Sequence, residues 1–188
     1  MKYFDLHADT ILPVLQGGDD AGLKTNSEIS VDLDGLTEGQ ALAQCFAVWL
    51  PEAEGVELNI DPRLEPKNQD EDMDYIRLAK DRLENEFEKN NEVIAQAFNS
   101  ADVRRNDENG LISGILTMED GRAVDGVMDN LQLFYDWGFR MISLTWNKEN
   151  CFGHPTSKDP QLGALGLKPF GKDAIAVMND LGLLIDVS

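Results

Sequence analysis

The sequence predicts an α/β protein of the (β/α) TIM-type barrel class, truncated after about its fifth strand. Short apolar runs alternate with helical patterns five times along the chain, as in parallel strands joined by crossover helices. The 188 residues fall short of the roughly 250 of a complete eight-fold barrel. A doubly wound open sheet is the alternative, but no glycine-rich phosphate loop follows the first run. We therefore treat residues 1–188 as a single partial barrel domain.

Five apolar runs mark the predicted strands. They cover residues 3–6, 43–50, 111–118, 140–146 and 183–187. The second run is almost wholly apolar, which is typical of a strand covered on both faces. It ends at Pro51, where an acidic loop running to Asn68 begins.

Helical patterns fill most of the intervals between these runs. Apolar residues recur every three or four positions from about residue 70 to 98, which predicts one long helix. A second helix is predicted from about 124 to 137. A third begins at Pro169, a residue suited to a first helical turn, and ends at the left-handed cap Gly182.

The charge balance excludes two classes of partner. Asp and Glu number 35 against 16 Lys and Arg, a formal net charge of −19, which repels nucleic acid and anionic membranes. The N-terminus has no secretory signal, and no stretch approaches the roughly 20 apolar residues of a membrane span. The two cysteines lack metal-ligand spacing, which favours a reducing compartment. We expect a cytoplasmic protein without a membrane anchor.

Candidate metal ligands stand where predicted strands end, the edge at which parallel α/β folds place their working residues. His7 and Asp9 are two residues apart and would point to the same side of the first strand. Imidazole and carboxylate are common zinc ligands. Glu119 follows the third run and could bridge two metal ions. The alternatives are a strand-end histidine hydrogen-bonded to an aspartate, and a helix N-terminal carboxylate.

Other polar residues follow the later strands. Trp146 ends the fourth run and Asn147 follows it. Both could line a substrate pocket, although packing also explains Trp146. We expect His154 to be a surface loop histidine. Asp186 lies in the otherwise apolar fifth run and is expected to be a structural carboxylate.

These motifs, taken together, resemble the membrane (renal-type) dipeptidase family of binuclear zinc enzymes on a (β/α) barrel. The similarity extends in order over nearly the whole chain, and it is carried by residues 5–10, 115–121, 136–147, 166–171 and 178–188. The resemblance implies that His7 and Asp9 bind one Zn²⁺ and that Glu119 is the catalytic residue that bridges both. It also implies that a bridging, metal-activated water attacks small dipeptides, including some with a C-terminal D-residue.

The chain departs from the family pattern at three places. Asp120 replaces a glycine, and Trp146 stands where many members have a substrate-binding histidine. The family pattern continues with a histidine ligand where this chain stops at Ser188. We therefore expect a dipeptidase represented by its N-terminal part, which alone would be inactive.

Two alternatives remain open. The chain could be a non-catalytic half-barrel that associates with a partner, either a second copy or the missing C-terminal half. It could also be another metal-dependent barrel hydrolase, although such enzymes are expected to carry more histidine motifs than the two histidines here. Comparing this chain with a longer one would separate the first alternative from a dipeptidase.

Overall fold

The computed structural model describes residues 1–24, 26–52 and 59–188. Its strands are β1 (Tyr3–Ala8), β2 (Ala41–Trp49), β3 (Ile94–Gln96), β4 (Ile112–Glu119), β5 (Phe139–Ser143) and β6 (Leu184–Asp186). Its helices are α1 (Ile11–Gln16), α2 (Leu33–Glu38), α3 (Gln69–Lys89), α4 (Ser100–Glu108), α5 (Met128–Asp136), α6 (Pro160–Gly163) and α7 (Pro169–Leu181). Five strands follow one another in the order β1-β2-β4-β5-β6, and the short β3 pairs with β4. The predicted α/β half-barrel of parallel strands is confirmed.

The chain divides into two compact units, Met1–Thr117 and Met118–Ser188, and the division falls within β4. In the first unit, α3 packs its buried face on the sheet, where the rings of Phe46 and Phe87 lie 5.4 Å apart. Gly114 allows this approach because a Cβ there would lie 2.6 Å from the ring of Phe87. The first unit thus has its own aromatic core.

The core of the second unit is built around two groups of aromatic rings. The Phe134 ring lies 6.2 Å from that of Phe139, and the Phe152 ring lies 5.8 Å from that of Phe170. The buried Phe152 fits because Gly171 has no side chain, since a Cβ there would overlap the carbonyl oxygen of Phe152. These contacts hold the long loop after β5 against α7.

The predicted helix over residues 70–98 is wrong beyond Lys89. The helix α3 ends there, and β3 and α4 follow. The reason is hydrogen bonding by asparagine side chains. Asn90 donates its side-chain N–H to the carbonyl of Glu86, and the Asn99 side chain accepts from the first amides of α4. Asparagine competes for backbone groups in this way and so breaks a helix that apolar spacing alone favours.

The second predicted helix begins later than its apolar pattern indicated. Residues 121–124 form a 3₁₀ turn, and Asp125 and Gly126 then adopt positive φ values of 50° and 70°, so α5 starts at Met128. The third predicted helix is confirmed as α7, with Gly182 at φ 79° as its left-handed cap. Residues 53–58 of the predicted acidic loop lie outside the described residues.

Candidate metal centre

His7 lies near the end of β1, and Asp9 follows that strand. The buried Ala8 separates them, and their side chains project to the same side with His7 Nε2 3.4 Å from Asp9 Oδ1. The backbone N–H of His7 donates to the Asp5 carboxylate at 3.3 Å. The pairing of β1 with β2 shifts register between Asp5 and Ala8, an irregularity of the kind often found beside active sites.

The donor set and its spacing fit a zinc ion. Two ligands held at about 2.0–2.1 Å from zinc in tetrahedral geometry lie about 3.4 Å from each other, as the His7 and Asp9 atoms do. Glu119 is the last residue of β4, at the carboxyl end of that strand, and its part in the metal site stays a prediction. One imidazole and one carboxylate form a chemically suitable, though incomplete, zinc coordination shell.

Asp120 shapes the turn that follows β4. It is 4% exposed and adopts φ 70°, a left-handed conformation that is uncommon for an aspartate. Its Oδ1 accepts from the backbone N–H of Arg122 at 3.0 Å and from the side chain of Asn150 at 2.7 Å. Asp120 therefore holds the turn after β4 through its side chain.

The loop after β5 is organised by Asn150, which the sequence did not single out. Its amide donates to Asp120 and to the carbonyl of Leu144, and its Oδ1 accepts from the amides of Phe152 and Gly153. One side chain thus ties the start of the loop, at Leu144, and the segment at Phe152 and Gly153 to the turn after β4. Only the local pattern Asn-x-Phe-Gly could have indicated it.

Trp146 and Asn147 lie in this loop, three and four residues after Ser143. Trp146 is half-buried and Asn147 is exposed. The strand β5 ends at Ser143, three residues before the predicted end of the fourth run, so that both residues follow its carboxyl end. Their part in a substrate pocket stays a prediction.

The remaining two candidates form local polar contacts. His154 is half-buried, and its Nδ1 lies 2.9 Å from the carboxylate of Glu149. Asp186 accepts hydrogen bonds from the hydroxyls of Ser143 and Ser188. Asp186 is half-buried and its structural role stays a prediction, while His154 is less exposed than expected.

A cleft of about 310 Å³ opens beside His7 and Asp9. Pro13 and the segment Glu28–Val31 complete its walls. No sequence pattern pointed to this segment, because it lies between the first two apolar runs and shows no apolar periodicity. The asparagine two residues before Glu28, a common turn former, was the only available signal.

A buried phenol lies in the electrostatic field of Asp9. Tyr75 of α3 is 5% exposed, and burial, followed by the negative charge of Asp9, raises the pKa of its hydroxyl. The phenol therefore stays protonated at neutral pH, so that Tyr75 adds no negative charge near Asp9.

No helix among the described residues is both long and apolar enough to cross a membrane.

Several proteins of known sequence are similar to this chain. An uncharacterised dipeptidase of Schizosaccharomyces pombe is 34% identical over 77 residues, which cover 41% of this chain and 19% of that protein. An uncharacterised protein of Acinetobacter calcoaceticus is 27% identical over 84% of this chain and 52% of its own length. The dipeptidase aclJ of Aspergillus oryzae is 26% identical over 84% of this chain and 36% of its own. The chain thus spans about half, or less, of the length of these relatives.

Solved structures extend the similarity to the fold. A metallopeptidase of Rhodobacter sphaeroides, liganded with a phosphinate mimic of L-Ala-D-Ala, matches all of this chain and 58% of its own at TM-score 0.84 and 22% identity. The dipeptidase AC, a metallopeptidase of family M19, matches all of it and 56% of its own at 0.79 and 25%. The probable dipeptidase PvdM of Pseudomonas aeruginosa matches 98% of it and 46% of its own at 0.76 and 21%.

A family model decides the assignment. The model of the membrane dipeptidase family matches residues 1–188, the whole of the chain. The half-barrel fold agrees with this match. The chain belongs to the membrane dipeptidase family, peptidase family M19.

Proposed function

We propose that this chain is the N-terminal, metal-binding part of a zinc-dependent dipeptidase that hydrolyses small dipeptides. The observation that carries the proposal is the His7–Asp9 pair, whose donor atoms have the 3.4 Å separation of two zinc ligands in a chain of this family. In a chain of this family, Glu119 at the end of β4 would be a further ligand.

The chain's own residues would bind and orient the metal ions. The His7 imidazole and the carboxylates of Asp9 and Glu119 would hold them by donating lone pairs. The contact from the His7 backbone to Asp5 fixes the end of β1 from which these ligands project. Zinc bound in such a site acidifies water and polarises a carbonyl, which is the chemistry of amide hydrolysis. Asp120 and Asn150 fix the turn behind Glu119.

The substrate class is inferred from the relatives. The phosphinate in the Rhodobacter structure mimics L-Ala-D-Ala, so we propose dipeptides for this protein too, including those with a C-terminal D-residue. Trp146 has an indole N–H and no imidazole. Carbonyl polarisation by an imidazole at that position is therefore unavailable, and we expect a narrower substrate range.

Metal content and hydrolysis by the whole protein that includes this chain test the proposal together. We expect two zinc ions per protein by elemental analysis and turnover of Ala-Ala and L-Ala-D-Ala. Glu119→Gln should lower kcat/KM by about 100-fold or more and reduce bound zinc, because a neutral amide is a poor zinc ligand. Glu108→Gln, at an exposed position at the end of α4, is the matched control and should change neither.

Two results would reject the proposal. One is a purified, folded protein with neither zinc nor dipeptidase activity after zinc addition. The other is a Glu119→Gln variant that keeps full metal content and activity.

A non-catalytic half-barrel is the second candidate function. The apolar side chains of β1 favour it, since Phe4 is 45% exposed and Leu6 is 57% exposed. Exposed apolar residues grouped on one strand mark an interaction surface. Stable association without hydrolysis by the whole protein would support this candidate against the first.

A further inference from the structure

The cleft beside His7 and Asp9 has a wall whose chemistry differs from that of the metal ligands. Glu28, Ile29 and Val31 contribute one carboxylate and two half-buried apolar side chains. Pro13 adds apolar surface. A volume of about 310 Å³ is within the range of small-ligand pockets. The cleft is therefore large enough for part of a small molecule that also reaches His7 and Asp9.

The base of this wall is fastened to the core. The backbone N–H of Leu33 donates to the carbonyl of Leu23 at 2.8 Å, and both leucine side chains are buried. The N–H of Leu23 in turn donates to the carboxylate of Glu86 on α3 at 3.0 Å. Leu23 and Leu33, which flank the wall, are thus held together, and Leu23 is anchored to the helix α3.

The tip of the wall is shaped by a second set of hydrogen bonds. Asn26 accepts from the N–H of Glu28 through its side chain at 2.9 Å and from that of Ile29 through its carbonyl at 3.3 Å. The N–H of Asn26 donates to the Asp32 carboxylate at 3.3 Å. This turn fixes the backbone of Glu28 at the rim of the cleft. The Glu28 side chain remains exposed, in contact with the Ser27 hydroxyl at 3.4 Å.

The charges that line the cleft have one sign. Its carboxylates are Asp9 and Glu28, and none of the described residues that line it is Lys or Arg. Asp9 is a proposed metal ligand, so Glu28 is the carboxylate left to face a substrate. A fixed carboxylate beside apolar surface attracts an ammonium group and repels a carboxylate.

We propose that this cleft binds an ammonium group of the substrate, with Glu28 as its hydrogen-bond acceptor and Ile29 and Val31 as the apolar surface beside it. The inference rests on the proposed dipeptidase function. The ammonium group has two possible sources in a dipeptide, the α-amino group and a lysine side chain. Both present the same chemistry to Glu28.

The test uses Glu28→Gln in the whole zinc-loaded protein, assayed with Ala-Ala, Lys-Ala, Ala-Lys and Glu-Ala. Loss of the charged acceptor should lower kcat/KM about 10-fold, the lower end for a hydrogen bond between charged groups. A fall shared by all four substrates assigns the α-amino group. A fall confined to the lysine peptides assigns the side chain. Bound zinc should be unchanged, which separates this effect from damage to the metal site.

Glu38→Gln is the matched control. Glu38 is an exposed carboxylate at the end of α2 that does not line the cleft, so kcat/KM should be unaltered. Glu28→Lys should invert the preference and raise the relative rate for Glu-Ala. Equal kcat/KM values for the wild type, Glu28→Gln and Glu38→Gln would overturn the inference.

A separate measurement keeps the inference testable if the protein hydrolyses nothing. Calorimetric binding of Ala-Ala and Lys-Ala to the zinc-loaded protein should weaken about 10-fold in Glu28→Gln. If binding weakens while hydrolysis is absent, the cleft is supported and the proposed enzyme activity fails. If neither peptide binds, or if binding does not depend on Glu28, the ammonium cleft is rejected.

Discussion

Replacement of Glu86 should destabilise the first unit more than any exposed charge change on the same helix. The Glu86 side chain is 3% exposed and accepts from the Leu23 amide at 3.0 Å. Its carboxylate also lies 3.4 Å from Arg82 Nε and 3.0 Å from Lys89 Nζ. The Arg82 guanidinium in turn donates to the carbonyl of Ala21. One buried carboxylate thus joins α3 to the loop that leads to the cleft wall.

The magnitude follows from what each substitution leaves behind. Glu86→Ala leaves the Leu23 amide without its buried acceptor and the Arg82 guanidinium without its counter-charge, so we expect a loss of about 3–5 kcal/mol in the free energy of unfolding. Glu86→Gln keeps an acceptor for the amide but removes the charge, and should cost about 1–3 kcal/mol. The control is Glu84→Ala, whose half-exposed pair with Lys80 should contribute at most about 1 kcal/mol.

Equilibrium urea unfolding at pH 7 and fixed protein concentration measures these differences. Amide hydrogen exchange gives a local readout, since the Leu23 amide should lose protection in Glu86→Ala and keep it in Glu84→Ala. If Glu86→Ala and Glu84→Ala shift the unfolding free energy equally, the buried carboxylate does not anchor the loop, and the reasoning is wrong.

Three further predictions concern the isolated 188-residue chain. It should show negligible dipeptidase activity, because His7, Asp9 and Glu119 would supply only a partial ligand set. Turnover of Ala-Ala at about 1 per second or faster would contradict this. The isolated chain should self-associate through exposed apolar residues of β1 such as Leu6. Size-exclusion chromatography with light scattering measures this, and a monodisperse monomer would contradict it. Burial, followed by the charge of Asp5, raises the pKa of the Cys45 thiol to about 12, so a disulfide reagent at pH 8 should label Cys45 only after unfolding; labelling in the native state would refute its burial.

The thiol of Cys45 also sets a direction for stability at alkaline pH. Its pKa is raised in the folded state, so the unfolded chain loses the thiol proton first as pH rises. The contribution of the thiol to the free energy of unfolding is therefore complete below the ordinary thiol pKa of 9.0 and declines as pH rises towards about 12. Cys45→Ala should lessen this decline in urea unfolding between pH 8 and 10. An identical pH dependence in the two proteins would be inconsistent with the buried thiol.

The α/β class, the strands β1, β2, β4, β5 and β6, and the same-side placement of His7 and Asp9 follow from the amino-acid sequence alone. These are local properties. Apolar runs give strands, and residues two apart in an extended chain point to the same side. The helix from Pro169 was equally predictable because proline and the glycine at 182 mark its ends within the sequence.

Only the tertiary structure decided the features that depend on side chains from distant parts of the chain. The anchor of the cleft wall joins Leu23 to Glu86, 63 positions apart, and the turn after β4 depends on Asn150, 30 positions beyond Asp120. The break after Lys89 was hidden because the asparagine hydrogen bonds that cause it leave apolar spacing unchanged. Periodicity reports which face of an element is buried, whereas a hydrogen bond between separate elements exists only once folding has brought them together.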